Sequence, residues 1–245
     1  MAFFFPQAAS EIDWSRGFEP LDKELAQVVQ DAELGRRFAD KLLKVYLADG
    51  HEEWLLVHIE VQGQREADFA QRMFVYAYRL YDRYRRDIAS LAILTDTAPH
   101  WRPCRFGIGR WGSHLEIRFP SIKLLDYAER QDELEADPNP FATVVLGHLA
   151  AQQTRNDENA RYERKLHLTR RLYERGLSRQ QIIDLYRFLD WILRLPENLE
   201  LRYTDAIFEI KENLKMPYVS FFERRGDARR QVHGAILFLQ PPGEA

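Results

Sequence analysis

The sequence predicts an α/β fold, with a mixed sheet in the first part of the chain and helices in the second. Three observations predict it. The turn signal Asp49-Gly50 separates two apolar runs, an amphipathic helix at 66–85 is followed by another apolar run, and the apolar spacing beyond residue 137 is helical. We therefore predict an α/β core at 1–137 and a helical extension at 138–245 that packs on or near it.

The composition is that of an ordinary globular protein. Of 245 residues, 45% are hydrophobic, which is enough for a sizeable core, and the lone Cys104 excludes an intrachain disulfide. The net charge of −3 does not indicate bulk attraction to nucleic acid. No apolar run approaches the ~20 residues of a membrane span, and Met1–Pro6 lacks the features of a secretory signal. We expect a cytoplasmic protein with no membrane partner.

The most informative stretch is the apolar run 54–62. Its alternation from Val57 onward predicts a strand that carries His58, Glu60 and Gln62 on one face. A carboxylate in a buried strand is costly unless it is paired, hydrogen-bonded or bound to a metal. Glu60 therefore requires a compensating partner.

A hairpin register supplies a candidate partner for Glu60. If 37–47 is the preceding strand and residues 49–51 form a three-residue loop, opposed residues have numbers that sum to 100. Asp40 then lies opposite Glu60, with Cβ atoms ~5 Å apart. A slip of one residue would put the two carboxylates on opposite faces.

The next elements complete the predicted sheet. The helix at 66–85 carries six Arg against three acidic residues from 65 to 86, and the strand at 88–94 should run parallel to 54–62. Strands at 106–108 and 114–119 are expected to extend the sheet edge. From Ser121 onward the sequence becomes helical.

Capping signals divide the helical part. Asn139 with Pro140 begins a helix to about Gln153, and a second helix runs from Glu158 to Arg175 before Gly176. Ser178 with Gln181 forms a capping box, and Pro196 begins a helix to about Leu214. Three tryptophans are expected to pack in the core or in a groove: Trp101, Trp111 and Trp191.

These residues carry a resemblance. Asp40, then Glu60-Val61-Gln62, then Gln71-Arg72 and Tyr76 on a helix, resembles the PD-(D/E)XK nuclease superfamily. The sequence at 58–64 and 72–76 is similar to one family of that superfamily, the recombination-promoting nuclease/putative transposase family. Further stretches of the chain are similar to the same family: 91–96, 101–103, 123–127 and 171–176.

The resemblance implies a restriction-endonuclease-like core and Mg²⁺-dependent hydrolysis of DNA phosphodiesters, with Mn²⁺ as a substitute ion. Asp40 and Glu60 would be the metal ligands, together with the Val61 carbonyl, and Gln62 would be the third catalytic residue. Mg²⁺ prefers such oxygen ligands. Gln64 and Arg72 would contact nucleic acid.

The chain also departs from the pattern of the family. Gln62 replaces a lysine, and the family has a longer N-terminal helix than the one that begins at Met1 here. The alternative is therefore a catalytically weak or inactive nucleic-acid-binding protein with the same fold. Arg72 could instead pair with Glu66 or Asp68, His58 could be a hydrogen-bonded core residue, and the chain could form a homodimer.

Overall fold

The computed structural model describes residues 1–21, 23, 25, 41–49 and 54–213, and for 54–62 and 211–213 it describes the backbone alone. The fold is mixed α/β, as the sequence predicts. The chain divides into two compact units, Met1–Leu125 and Asp126–Ala245. The boundary predicted from sequence lay at 137/138. None of the helices in the described ranges has both the length and the apolar character needed to cross a bilayer.

The first unit contains a five-stranded mixed sheet. Its strands are β1 (Phe18–Pro20), β2 (Lys41–Tyr46), β3 (Trp54–Gln62), β4 (Ile88–Leu94) and β7 (Ser121–Lys123), in that spatial order. β1, β2 and β3 form an antiparallel meander, whereas β4 is parallel to β3 and β7 is parallel to β4. The parallel pairing of β3 and β4 confirms the crossover prediction, and helix α2 (Phe69–Tyr84) makes the connection.

Helix α2 covers one face of this sheet. Its Tyr76 and Leu80 pack with Leu42 of β2 in one buried cluster. Its Phe69 and Met73 pack in a second cluster that contains Ala92 and Leu94 of β4. The helix begins three residues later than predicted, and its C-cap is Arg85, as expected from sequence. Arg85 has a left-handed φ of 52°, and its backbone N–H donates to the Tyr81 carbonyl. A short helix, α1 (Pro6–Ser10), precedes the sheet.

Two sequence predictions about the sheet edge are wrong. The strands β5 (Arg105–Arg110) and β6 (Ser113–Arg118) form a separate two-stranded sheet and do not extend the main one. The edge beside β4 is taken by β7, in the stretch expected to be helical. Three residues are too few to show a strand period, and the helical pattern that follows from Leu124 masks them.

The second unit is helical. Its described residues, 126–213, contain α3 (Gln131–Ala136), α4 (Pro140–Gln153), α5 (Glu158–Glu174), α6 (Arg179–Ile192) and α7 (Glu197–Asn213). The predicted caps are present: Asn139 accepts from Phe141 N, and the Ser178–Gln181 capping box is complete. Gly176 follows α5 with a φ of 68°. These end signals are local, which explains why sequence located these helices well.

Candidate functional site

The register of β2 and β3 places the backbone of the candidate site. Six opposed pairs, from Lys41–Ile59 to Tyr46–Trp54, have residue numbers that sum to 100, which is the register predicted from sequence. Glu60, Val61 and Gln62 are the last three residues of β3. Asp40 comes directly before the first described pair and itself lies outside the described residues.

The face that carries Glu60 and Gln62 follows from the neighbouring strand. Glu60 is paired with Ala92, and Gln62 is paired with Leu94. Paired residues of a sheet share a face, and Ala92 and Leu94 pack beneath α2. Both candidate catalytic residues therefore occupy positions on the α2 side of the sheet, opposite one small and one large apolar residue. Ala92 is fully buried.

Arg72 lies at the start of α2 and is 3% exposed. Its Nη1 donates a 2.7 Å hydrogen bond to Glu66 Oε2, and its guanidinium lies 5.2 Å from the ring centroid of Phe69. The pairing with Glu66 is the alternative that the sequence left open. A contact of Arg72 with phosphate stays a prediction, as does one of Gln64, which is exposed between β3 and α2.

The carboxyl ends of the parallel strands contain a buried ion pair that the sequence did not reveal. Lys123 is the last residue of β7, and its Nζ donates to Asp96 Oδ2 at 2.7 Å and to the Trp101 carbonyl at 3.3 Å. The other oxygen of Asp96 accepts from Ala98 N at 2.8 Å. The pair thereby fixes the loop that follows β4. No local signal could have joined residues 27 positions apart.

This loop is connected to α2 through an aromatic contact. The Trp101 ring lies 5.5 Å from the Phe69 ring and 5.8 Å from Lys123 Nζ. The ring of Trp101 is half-buried, consistent with the expected packing role. At the end of β3, a Cβ at Gly63 would lie 3.5 Å from Thr95 Oγ1, so the ends of β3 and β4 are in close contact. Asp96, being bonded to Lys123, has little capacity left to bind a metal.

The donor types fit a magnesium ion. Two carboxylates and the Val61 carbonyl, the set expected from sequence, are all oxygen ligands. Among the side chains that the structure describes, no three His, Cys, Asp or Glu residues are grouped as a metal site. Asp40 and the Glu60 side chain are outside that group, so the expected set remains a prediction.

The helical unit has an open cleft of its own, of about 650 Å³. It is lined by Gln131, Asp132, Glu135, Arg164, His167 and Arg171. Glu135 lies 3.0 Å from His167 Nε2 and 3.5 Å from Arg171 Nε, and Arg164 is hydrogen-bonded to Gln131. The basic groups are thus already engaged by side chains of the same cleft.

Sequence reasoning also misplaced two tryptophans, since Trp191 on α6 is 44% exposed. Trp111, expected in the core or a groove, is 94% exposed at the tip of the β5–β6 hairpin. It lies between Arg110 and Gly112, at a turn whose geometry depends on the pairing of β5 with β6.

Comparison with family models, curated proteins and solved structures found no match to this chain.

Proposed function

We propose that this protein is a metal-dependent DNA endonuclease with a restriction-endonuclease-like core. The observation that carries the proposal is the β2–β3 register, in which opposed numbers sum to 100. Continued by one residue, this register would put Asp40, which lies outside the described residues, opposite Glu60. The proposal is also supported by the mixed sheet, in which an antiparallel meander is joined through a crossover helix to a parallel strand.

Asp40 and Glu60 would hold Mg²⁺ with the Val61 carbonyl, because two adjacent carboxylates repel each other unless a cation lies between them. When bound, the ion would polarise a phosphate oxygen and lower the pKa of a bound water. The Gln62 amide would orient the attacking water. The water oxygen would form a new P–O bond while one P–O ester bond breaks, the water would lose a proton to solvent, and the leaving oxygen would take up a proton.

A non-catalytic DNA-binding protein is the second candidate. Gln62 brings no positive charge, and Lys123, the last residue of β7, is bonded to Asp96. The developing charge on phosphate would then lack the ammonium that the resemblance leads one to expect. This candidate binds DNA in a salt-sensitive manner and does not cut it with any divalent ion.

Plasmid relaxation tests the proposal. The full chain with Mg²⁺ or Mn²⁺ should nick supercoiled plasmid, whereas Asp40→Asn and Glu60→Gln should lower the rate by at least about 100-fold, the scale of losing a preorganised electrostatic group. Glu133→Gln is the control, since Glu133 is an exposed carboxylate of the helical unit that is paired with Arg130. Equal cutting by wild type and both site variants contradicts the proposal.

A further inference from the structure

The β5–β6 hairpin is anchored at its base and exposed along the rest of its length. At the base, the Phe106 ring packs 5.4 Å from the ring of Phe74 on α2. Ile117, which is paired with Phe106, packs against the cluster around Phe69. Further out on the same face, the opposed pair Ile108 and Leu115 is about half exposed. The hairpin therefore projects from α2 as an arm.

The tip of the arm is strained in a manner that is unusual for its residue type. Trp111 has a φ of 55° and Gly112 a φ of 86°, the two positive values of a type I′ hairpin turn. That turn favours Asn-Gly, and a bulky residue at positive φ is an outlier. Backbone strain of this kind clusters at functional sites, and here it accompanies an indole ring that is almost fully exposed to solvent.

The charge of the arm favours a polyanionic partner. From 102 to 119 the chain has four Arg and a single acidic residue, Glu116. Glu116 forms an ion pair with Arg118, in which Arg118 Nε lies 2.6 Å from Glu116 Oε1. The Arg110 guanidinium lies 5.3 Å from the centroid of the Trp111 ring. A second copy of the same arm would bring like charges together, whereas a phosphodiester backbone neutralises them.

We propose that this arm binds nucleic acid, with Trp111 stacking on an unpaired base while Arg110, beside the ring, contacts an adjacent phosphate. The proposal rests on the endonuclease function and names its substrate class: single-stranded or locally unpaired DNA. Duplex DNA hides the faces of its bases, so a stacking ring selects strands whose bases are accessible. The arginine beside the ring adds a cation that suits both the base and the phosphate.

Fluorescence anisotropy of the full chain in EDTA tests this without cleavage. The probes are a short fluorescein-labelled single strand and the same sequence as a duplex. Trp111→Asn removes the ring but suits the turn, so the hairpin should be retained. It should weaken single-strand binding by about 5- to 100-fold, the range of one lost stacking contact, and leave duplex binding nearly unchanged. Trp111→Phe should keep most of the affinity.

The control is Trp191→Ala, which removes another exposed tryptophan, from α6 of the helical unit. Unchanged single-strand binding by Trp111→Asn overturns the inference, as does an equal loss in Trp191→Ala. Loss of self-association or of binding to anionic lipid vesicles in Trp111→Asn, with DNA binding intact, also overturns it. If the protein cuts plasmid but Trp111→Asn binds single strands as well as wild type does, this inference is wrong and the endonuclease proposal stands. If single-strand binding depends on Trp111 but the protein cuts no DNA, the endonuclease proposal is wrong and DNA binding by the arm stands.

Discussion

Lys123 donates a 2.7 Å hydrogen bond to the Asp96 carboxylate, and both side chains are at least 96% buried, at 1% and 4% exposure. A buried ion pair is expensive to form, but it is far more expensive to break from one side, because the remaining charge keeps its desolvation cost without its partner. The pair therefore constrains substitution at both positions and holds the loop that carries Trp101.

The first prediction concerns this ion pair. Lys123→Met should lower the free energy of unfolding by about 3–5 kcal/mol, because it leaves Asp96 buried and unpaired. The double variant Lys123→Met/Asp96→Asn should recover part of that loss. Urea denaturation followed by circular dichroism measures both. The control is Lys44→Met, which breaks the exposed ion pair with Glu19 and should cost less than about 1 kcal/mol. Similar losses in Lys123→Met and Lys44→Met would contradict the buried role.

The second prediction concerns Tyr203 in the helical unit. Burial raises the pKa of Tyr203 well above its ordinary value of 10.0, and its hydroxyl lies 2.7 Å from Thr169 Oγ1. Above pH 10 the Tyr203 phenol loses its proton in the unfolded chain but keeps it in the folded chain. The stabilisation that this group gives the folded state is therefore complete below pH 10 and declines as the pH rises further. Urea midpoints should fall more steeply above pH 10 in wild type than in Tyr203→Phe. Parallel pH profiles would count against it.

The third prediction concerns the capping box of α6. Ser178→Ala should destabilise the protein by about 1 kcal/mol, because Gln181 N loses its acceptor at the start of the helix. Ser178→Asp keeps an accepting oxygen and should stay close to wild type. Thermal unfolding of the three proteins, measured side by side, compares them. A larger loss in Ser178→Asp than in Ser178→Ala would refute the capping explanation.

The fourth prediction concerns the metal and is independent of cleavage. Mg²⁺ at about 100 times its dissociation constant should stabilise wild type by about 2.7 kcal/mol, because the ion binds the folded state alone. Glu60→Gln and Asp40→Asn should remove this stabilisation, while Glu133→Gln should keep it. Urea denaturation with and without Mg²⁺ provides the measurement. Stabilisation that survives in both site variants would place the ion elsewhere.

The fifth prediction concerns Gln62. Gln62→Lys should raise the rate of plasmid nicking, by about tenfold, because an ammonium at this position stabilises the charge that develops on phosphate. Gln62→Met has a similar length without the charge and serves as the control. A nicking assay under single-turnover conditions measures all three proteins. A Gln62→Lys rate at or below that of Gln62→Met would exclude an electrostatic role for this position.

Local signals explain how much of this fold could be predicted. The helix starts at Asn139 and Ser178 and the end before Gly176 depend on residues within one turn of each other. The β2–β3 register depends on a short connection and on alternation, so it was predictable as well. The backbone positions of Glu60 and Gln62 follow from that register, so their place on one face of β3 could be predicted from sequence.

The sequence alone determined the helix starts at Asn139 and Ser178 and the β2–β3 register, because each follows from residues that are close along the chain. The parallel pairing of β4 with β3 followed instead from the strand–helix–strand order of the elements. Only the tertiary structure decided that β7 takes the sheet edge, that β5 and β6 leave it as an arm, and that Lys123 pairs with Asp96. These outcomes depend on which distant segments bury one another. The exposed Trp111 belongs to the same group, since its position at the tip follows from the pairing of two strands that the main sheet does not include.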